Sequence, residues 1–267
     1  MSDGIILLFV LVVGVLAAII DDSEKKKKKK EKANAVSESV PALRQEDPAV
    51  KLQNEINQKS VDRSIATHNA MKEVTFDAHK PNFTKHLARR CAGEFVAFDF
   101  ETTGLNNAMS HIIEVSAVRF KDMEICDTFT TLINPERPIP ASASKVNNIT
   151  DDMVKDAPVE REAMQAFIDW LGSDVLEGKV VLVAHNASFD IGFFQAALAR
   201  LGIEATLTYQ DTLALSRRFQ PYLNNHKLGT MCKQYKIKAE NAHRAESDAI
   251  CCGKLFVKFI EESGYLE

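Results

Sequence analysis

The C-terminal part of this chain predicts a mixed α/β sheet covered by helices. Three strand-like segments follow one another between residues 95 and 133, the natural pattern of antiparallel neighbours. A short all-apolar run at 180–184, a strand-like stretch near 207–209 and helix-period segments then alternate to the end, which is how parallel strands with covering helices read. The first strand also ends in two carboxylates, Asp99 and Glu101, one residue apart. Side chains at i and i+2 of a strand leave the same face, so both acids point to one place at the rim of a core. Two like charges there repel each other and lose hydration, and a bound cation would relieve both costs.

The chain opens differently. Residues 4–20 are 17 consecutive uncharged, mostly aliphatic residues. As a helix they would extend about 26 Å, against a hydrocarbon core of about 30 Å. No basic residue precedes the run and no A-x-A site follows it, so a transmembrane helix fits better than a cleaved signal peptide. Lys25 to Lys30 follow closely, which predicts a cytoplasmic catalytic domain on a single-pass anchor and contact with anionic head groups. Residues 21–90 read as a basic and polar tether. Within it Leu52, Ile56, Val61 and Ile65, followed by Ala70, Met71 and Val74, form a weak amphipathic helix ended by Pro81. His68 and His79 read as surface residues.

The working domain is predicted over 91–267. Of the chain's 33 Lys+Arg and 37 Asp+Glu, residues 94–267 hold 17 and 25, a net charge of −8, while the preceding 93 residues are net +4. Such a domain is not a broad electrostatic binder of polyanions, which must be drawn in locally or by metal ions. Five cysteines form no CxxC pair and two are adjacent, which argues for small buried thiols in a reducing compartment. After the first strand, 112–120 and 128–133 read as strands. Pro135, Pro138 and Pro140 make a loop, and Thr150 caps a helix with Asp151 and Asp152 in its first turn. Ala163, Phe167, Trp170 and Leu171 stripe the next helix. Further helices start near Ile191, Asp211 and Leu228, and the last follows Asp248.

Acids recur where buried strands end or core helices begin: Asp99 and Glu101, then Asp190, then Asp248. In an open α/β sheet such positions gather along one edge. Hard oxygen donors without Cys suit Mg²⁺ or Mn²⁺, and four acids suit two ions. His243 precedes Asp248 by five residues, about 140° apart on a continuous helix, so both face one site only if His243 lies before the helix. An imidazole beside a metal-bound water is a plausible general base.

Asp99-Phe100-Glu101-Thr102-Thr103-Gly104, His185-Asn186-Ala187-Ser188-Phe189-Asp190 and His243-Arg244-Ala245-Glu246-Ser247-Asp248 resemble the three motifs of the DEDDh 3′-to-5′ exonucleases, and in particular the proofreading epsilon subunit of bacterial DNA polymerase III. The resemblance implies an RNase H-like fold with a five-stranded mixed sheet. It also implies two Mg²⁺ (or Mn²⁺) ions held by Asp99, Glu101, Asp190 and Asp248, with Asp99 bridging them and His243 taking a proton from the attacking water. The expected substrate is a nucleic acid 3′ end, single-stranded DNA before RNA, releasing nucleoside 5′-monophosphates. Thr102, Thr103 and Leu105 match positions that grip or wedge the terminal nucleotide, and Asn186 lies near the scissile strand; strand-end capping is their ordinary alternative. Two departures stand out. Asn147-Asn148 replace the usual His-Gly, which keeps a left-handed turn possible but puts a substrate contact in question. The anchor and the lack of an extension after Glu267 point to a stand-alone membrane-tethered nuclease. An exoribonuclease or short-oligonucleotide degrader is the rival enzyme, and an inactive nucleic-acid-binding adaptor the rival of another class.

Overall fold

The computed structural model describes residues 76–238 and 244–267. The predicted anchor at 4–20, Lys25 to Lys30, the amphipathic helix before Val74 and His243 lie outside the described residues. Among those residues no helix is long and apolar enough to cross a membrane.

In chain order the elements are β1 (Phe76–His79), α1 (Lys85–Gly93), β2 (Glu94–Thr102), β3 (Ile112–Lys121) and β4 (Glu124–Leu132). Then come α2 (Ala141–Asn147), α3 (Asp151–Val154), α4 (Glu160–Leu171), α5 (Ser173–Leu176), β5 (Val181–Ala184) and α6 (Ser188–Leu201). The chain closes with β6 (Ala205–Asp211), α7 (Thr212–Phe219), α8 (Leu228–Gln234) and α9 (Ala245–Glu262). Among the described residues one sheet contains all the strands, in the order β1-β6-β5-β2-β3-β4. β2, β3 and β4 are antiparallel neighbours, while β2, β5, β6 and β1 run parallel.

The sheet therefore has six strands, not the expected five. The extra one, β1, pairs with β6 from Phe76↔Ala205 to His79↔Thr208. It precedes residue 91, so the folded unit begins earlier than the boundary drawn from sequence. Four residues with only Phe76 and Ala78 turned inward carry too little apolar pattern to be read locally. His79 is exposed, as expected, on that strand. The proline loop also hides a helix: Pro140 precedes α2, which ends with Asn148 at φ 60°, the left-handed turn that Asn tolerates. The expectation of five buried thiols holds for Cys91, Cys232, Cys251 and Cys252 but not for Cys126, which is exposed on the edge strand β4.

Alternation along β2 divides the core. Val96, Phe98 and Phe100 pack with Phe167 of α4 and Phe194 of α6 on one face. Phe95 and Ala97 pack with Leu255, Phe256 and Phe259 of α9 on the other. α9 comes close because residue 253 is Gly: a Cβ there would stand 2.2 Å from Cε2 of Phe120 and 3.0 Å from the Cβ of Ala97. By the period of two, Asp99 and Glu101 continue the Phe95-Ala97 face. They therefore meet the N-terminal turn of α9.

Candidate active site

Asp99 and Glu101 from β2 and Asp248 from the first turn of α9 each offer a carboxylate oxygen, all lying within 4.8 Å of one another. All three are half-buried. Asp190 arrives from the other face. It is buried in the first turn of α6, where its Oδ1 accepts the Phe100 N–H at 3.2 Å. Three of the predicted acids thus form one cluster, and the fourth is hydrogen-bonded to the backbone of Phe100, between two of them on β2.

The electrostatics are those of anions forced together. Burial first, then Asp190, Glu101 and Asp248, hold the Asp99 carboxyl well above the ordinary carboxylate range. Glu101 is pushed up to about 8, by burial and then by Asp248 and Glu114. Asp190 also rises to about 8, chiefly by burial, although the Phe100 N–H opposes the rise. A site of oxygen donors that resists ionisation until a cation enters fits Mg²⁺ or Mn²⁺. Without metal the folded state binds protons that the unfolded chain, with carboxyl pKa values near 4, has released. Stability should therefore be fully present below about pH 4 for these groups and fall by a few kcal/mol as pH rises towards about 8. Thermal melts in EDTA across that range check this, and Mg²⁺ should restore the melting temperature most at the alkaline end.

Two neighbours were not anticipated. Glu114, buried on β3 directly opposite Glu101, carries a bidentate ion pair with Arg244 and accepts the Ala245 N–H at 3.0 Å. It ties the start of α9 to the sheet and so sets where Asp248 stands. An acid inside the apolar run of residues 112–118 was the available signal. Asn147, also buried, donates to the Thr102 carbonyl at 3.3 Å, and its amide opposes the upward shift of the Glu101 carboxyl. The Asn147-Asn148 loop thus reaches Thr102, next to Glu101 on β2.

The other expected residues separate. Thr103 Oγ1 accepts the His111 N–H at 2.9 Å and Thr102 Oγ1 donates to the Gly104 carbonyl at 2.7 Å, so both close the loop after β2. Leu105 on that loop is 88% exposed. Asn186 is exposed at φ 67°, its N–H held by Asp211 Oδ1 at 3.0 Å. Asp211 also caps α7 through the Leu213 N–H at 2.9 Å. Helix α9 begins at Ala245 with Arg244 as its N-cap, and His243 lies outside the described residues.

Acids from a central strand and two helix starts, gathered at one sheet edge, are the arrangement of a phosphodiester-cleaving hydrolase. Residues 96–256 match the family model RNase T, described as exonuclease, and the chain belongs to that exonuclease family. It is 41% identical over 192 residues to a PolC-type DNA polymerase III of Caldanaerobacter subterraneus, covering 72% of this chain but 13% of that protein. The Bacillus subtilis PolC-type polymerase is 40% identical over 171 residues, 63% of this chain and 12% of its own length. The chain thus spans about an eighth of these relatives, as the 13% and 12% coverages state. Among solved structures, exonuclease X in complex with 5′-overhanging duplex DNA superposes with a TM-score of 0.51 at 27% identity, covering 64% of this chain and 93% of the other. E. coli exonuclease I with a dA16 oligonucleotide shares the fold, at 17% identity and a TM-score of 0.52, over 60% of this chain and 39% of its own.

Proposed function

We propose that this chain is a metal-dependent 3′-to-5′ exonuclease of the DEDDh type on an RNase H-like sheet, releasing nucleoside 5′-monophosphates from single-stranded DNA ends. The observation that carries the reading is the cluster of Asp99, Glu101 and Asp248 within 4.8 Å. Asp99, Glu101 and Asp248 would hold two Mg²⁺ or Mn²⁺ ions, with Asp190 supporting one of them from below. When bound, the ions neutralise phosphate oxygens and acidify a water. His243 accepts the proton of the water that attacks phosphorus, and the 3′-oxygen of the penultimate nucleotide leaves. Glu114 and Arg244 keep Asp248 at the cluster, and Asn147 orients Glu101. Leu105, exposed at the end of the pinned loop, supplies the wedge beside the terminal base, and Asn186 borders the strand's path.

DNA is favoured over RNA because the polymerase relatives are named for DNA and the exonuclease X and exonuclease I structures hold DNA. With Mg²⁺, the full chain should shorten a single-stranded DNA oligonucleotide from its 3′ end at least ~10-fold faster than the matched RNA, a difference of about 1.4 kcal/mol. Degradation of the RNA alone would refute the substrate assignment. For residues 4–20, we infer a single-pass anchor that leaves the nuclease cytoplasmic; the support is the apolar run and the lysines behind it.

A further inference from the structure

β2, β5 and β6 run parallel, so their C-terminal ends share one edge of the sheet. The carboxylate cluster stands at the end of β2. Next to it, the His185-Asn186 turn after β5 faces the segment 217–228 across a groove of about 910 Å³. That volume lies towards the upper end of the range of about 300–1,000 Å³ usual for ligand sites.

The lining is unusual for this domain. Across residues 94–267 acids outnumber bases 25 to 17, yet among the described residues no Asp or Glu lines the groove while Arg217 and Lys227 do. Both cations are exposed, and neither forms an ion pair with a described residue. Between two lining residues, Pro221 and Leu223, Tyr222 holds its ring in solvent at 96% exposure. The rim is nonetheless built: Asn225 Oδ1 accepts the Thr230 hydroxyl at 2.6 Å and the Lys227 N–H at 3.3 Å. Local cations and a presented aromatic ring are the components of a single-strand track.

We propose that this groove binds the stretch of single-stranded nucleic acid lying 5′ to the scissile bond, with Arg217 and Lys227 on its phosphates and Tyr222 stacking on a base. The assignment rests on the 3′-to-5′ exonuclease reading. Such an enzyme has one nucleotide on the 3′ side of the bond it cuts, so only the 5′ portion is long enough to leave the cluster and enter the groove. The Asn186 turn, four residues before Asp190, joins the two regions. The track supplies locally the attraction that the acidic domain as a whole lacks.

The test compares the full chain with three variants, using Mg²⁺ and two substrates, a thymidine dinucleotide and an oligothymidylate of about twelve residues, within the range of single-strand site sizes. For the oligomer, the double variant Arg217→Gln/Lys227→Gln should raise KM and make the slope of log kcat/KM against log salt shallower by about 1.4, at ~0.7 for each phosphate no longer neutralised. Tyr222→Ala should raise that KM about 5- to 150-fold, the equivalent of losing one base stack, and Tyr222→Phe should return it to the wild-type value. All variants should retain the wild-type rate on the dinucleotide, which is too short to reach the groove. Unchanged KM for the oligomer, or equal loss on both substrates, overturns the proposal. If the wild-type chain hydrolyses neither, the catalytic reading falls; the groove is then judged by fluorescence anisotropy of the labelled oligomer in EDTA, where Tyr222→Ala must weaken binding by the same factor.

Discussion

Asp99→Asn should abolish hydrolysis while making the metal-free protein more stable. Burial, and after it the charges of Asp190, Glu101 and Asp248, push the Asp99 carboxyl upward. A neutral amide removes the repulsion at its centre, so the melting temperature in EDTA at alkaline pH should rise. The same change removes a charged oxygen from the metal-binding set. Losing metal stabilisation of transition-state charge is worth several kcal/mol, which corresponds to a fall in kcat of about 10³-fold or more. The Mg²⁺-induced rise in melting temperature should disappear with it. Wild-type activity in this variant would end the metal-centre assignment. Loss of activity with an intact Mg²⁺ shift would move the role of Asp99 away from metal binding.

His243→Ala should lower kcat by about 10²- to 10⁴-fold, the range for losing a general base, without removing the Mg²⁺-dependent stabilisation. The residues that follow it are tied to the sheet. Arg244 is held by the bidentate contact with buried Glu114, Ala245 donates its N–H to the same carboxylate, and Asp248 follows one turn into α9. The acid limb of the pH–rate profile should flatten in the variant, because the group whose deprotonation creates the base is gone. An unchanged rate and profile would remove His243 from the mechanism.

Much of the site was legible because its chemistry is local in sequence. Asp99 and Glu101 share a face through the two-residue period of one strand, and each remaining acid opens a helix. The resemblance of the three motifs ordered these acids into one centre. The strands from 95 to 133 and the helices starting near 211 and 228 were readable for the same reason, as runs or stripes of apolar residues. What escaped was non-local. β1 exists only because β6 offers it an edge, and α2 only because the chain turns at Pro140 and closes at a left-handed Asn148. Glu114 and Arg244 are 130 residues apart, so nothing in either segment announces their pairing.

The sequence by itself determined where the candidate acids stand: periodicity and residue type place Asp99 and Glu101 at the end of a strand and Asp190 and Asp248 at the starts of helices. Only the tertiary structure decided which of them meet. The pleat sends Asp99 and Glu101 to the α9 face, where Asp248 joins them within 4.8 Å, while Asp190 on α6 accepts the Phe100 N–H and acts on Asp99 as the strongest neighbouring charge. The face a side chain takes follows from local geometry, but the partner waiting on that face is set by how the helices pack across the sheet.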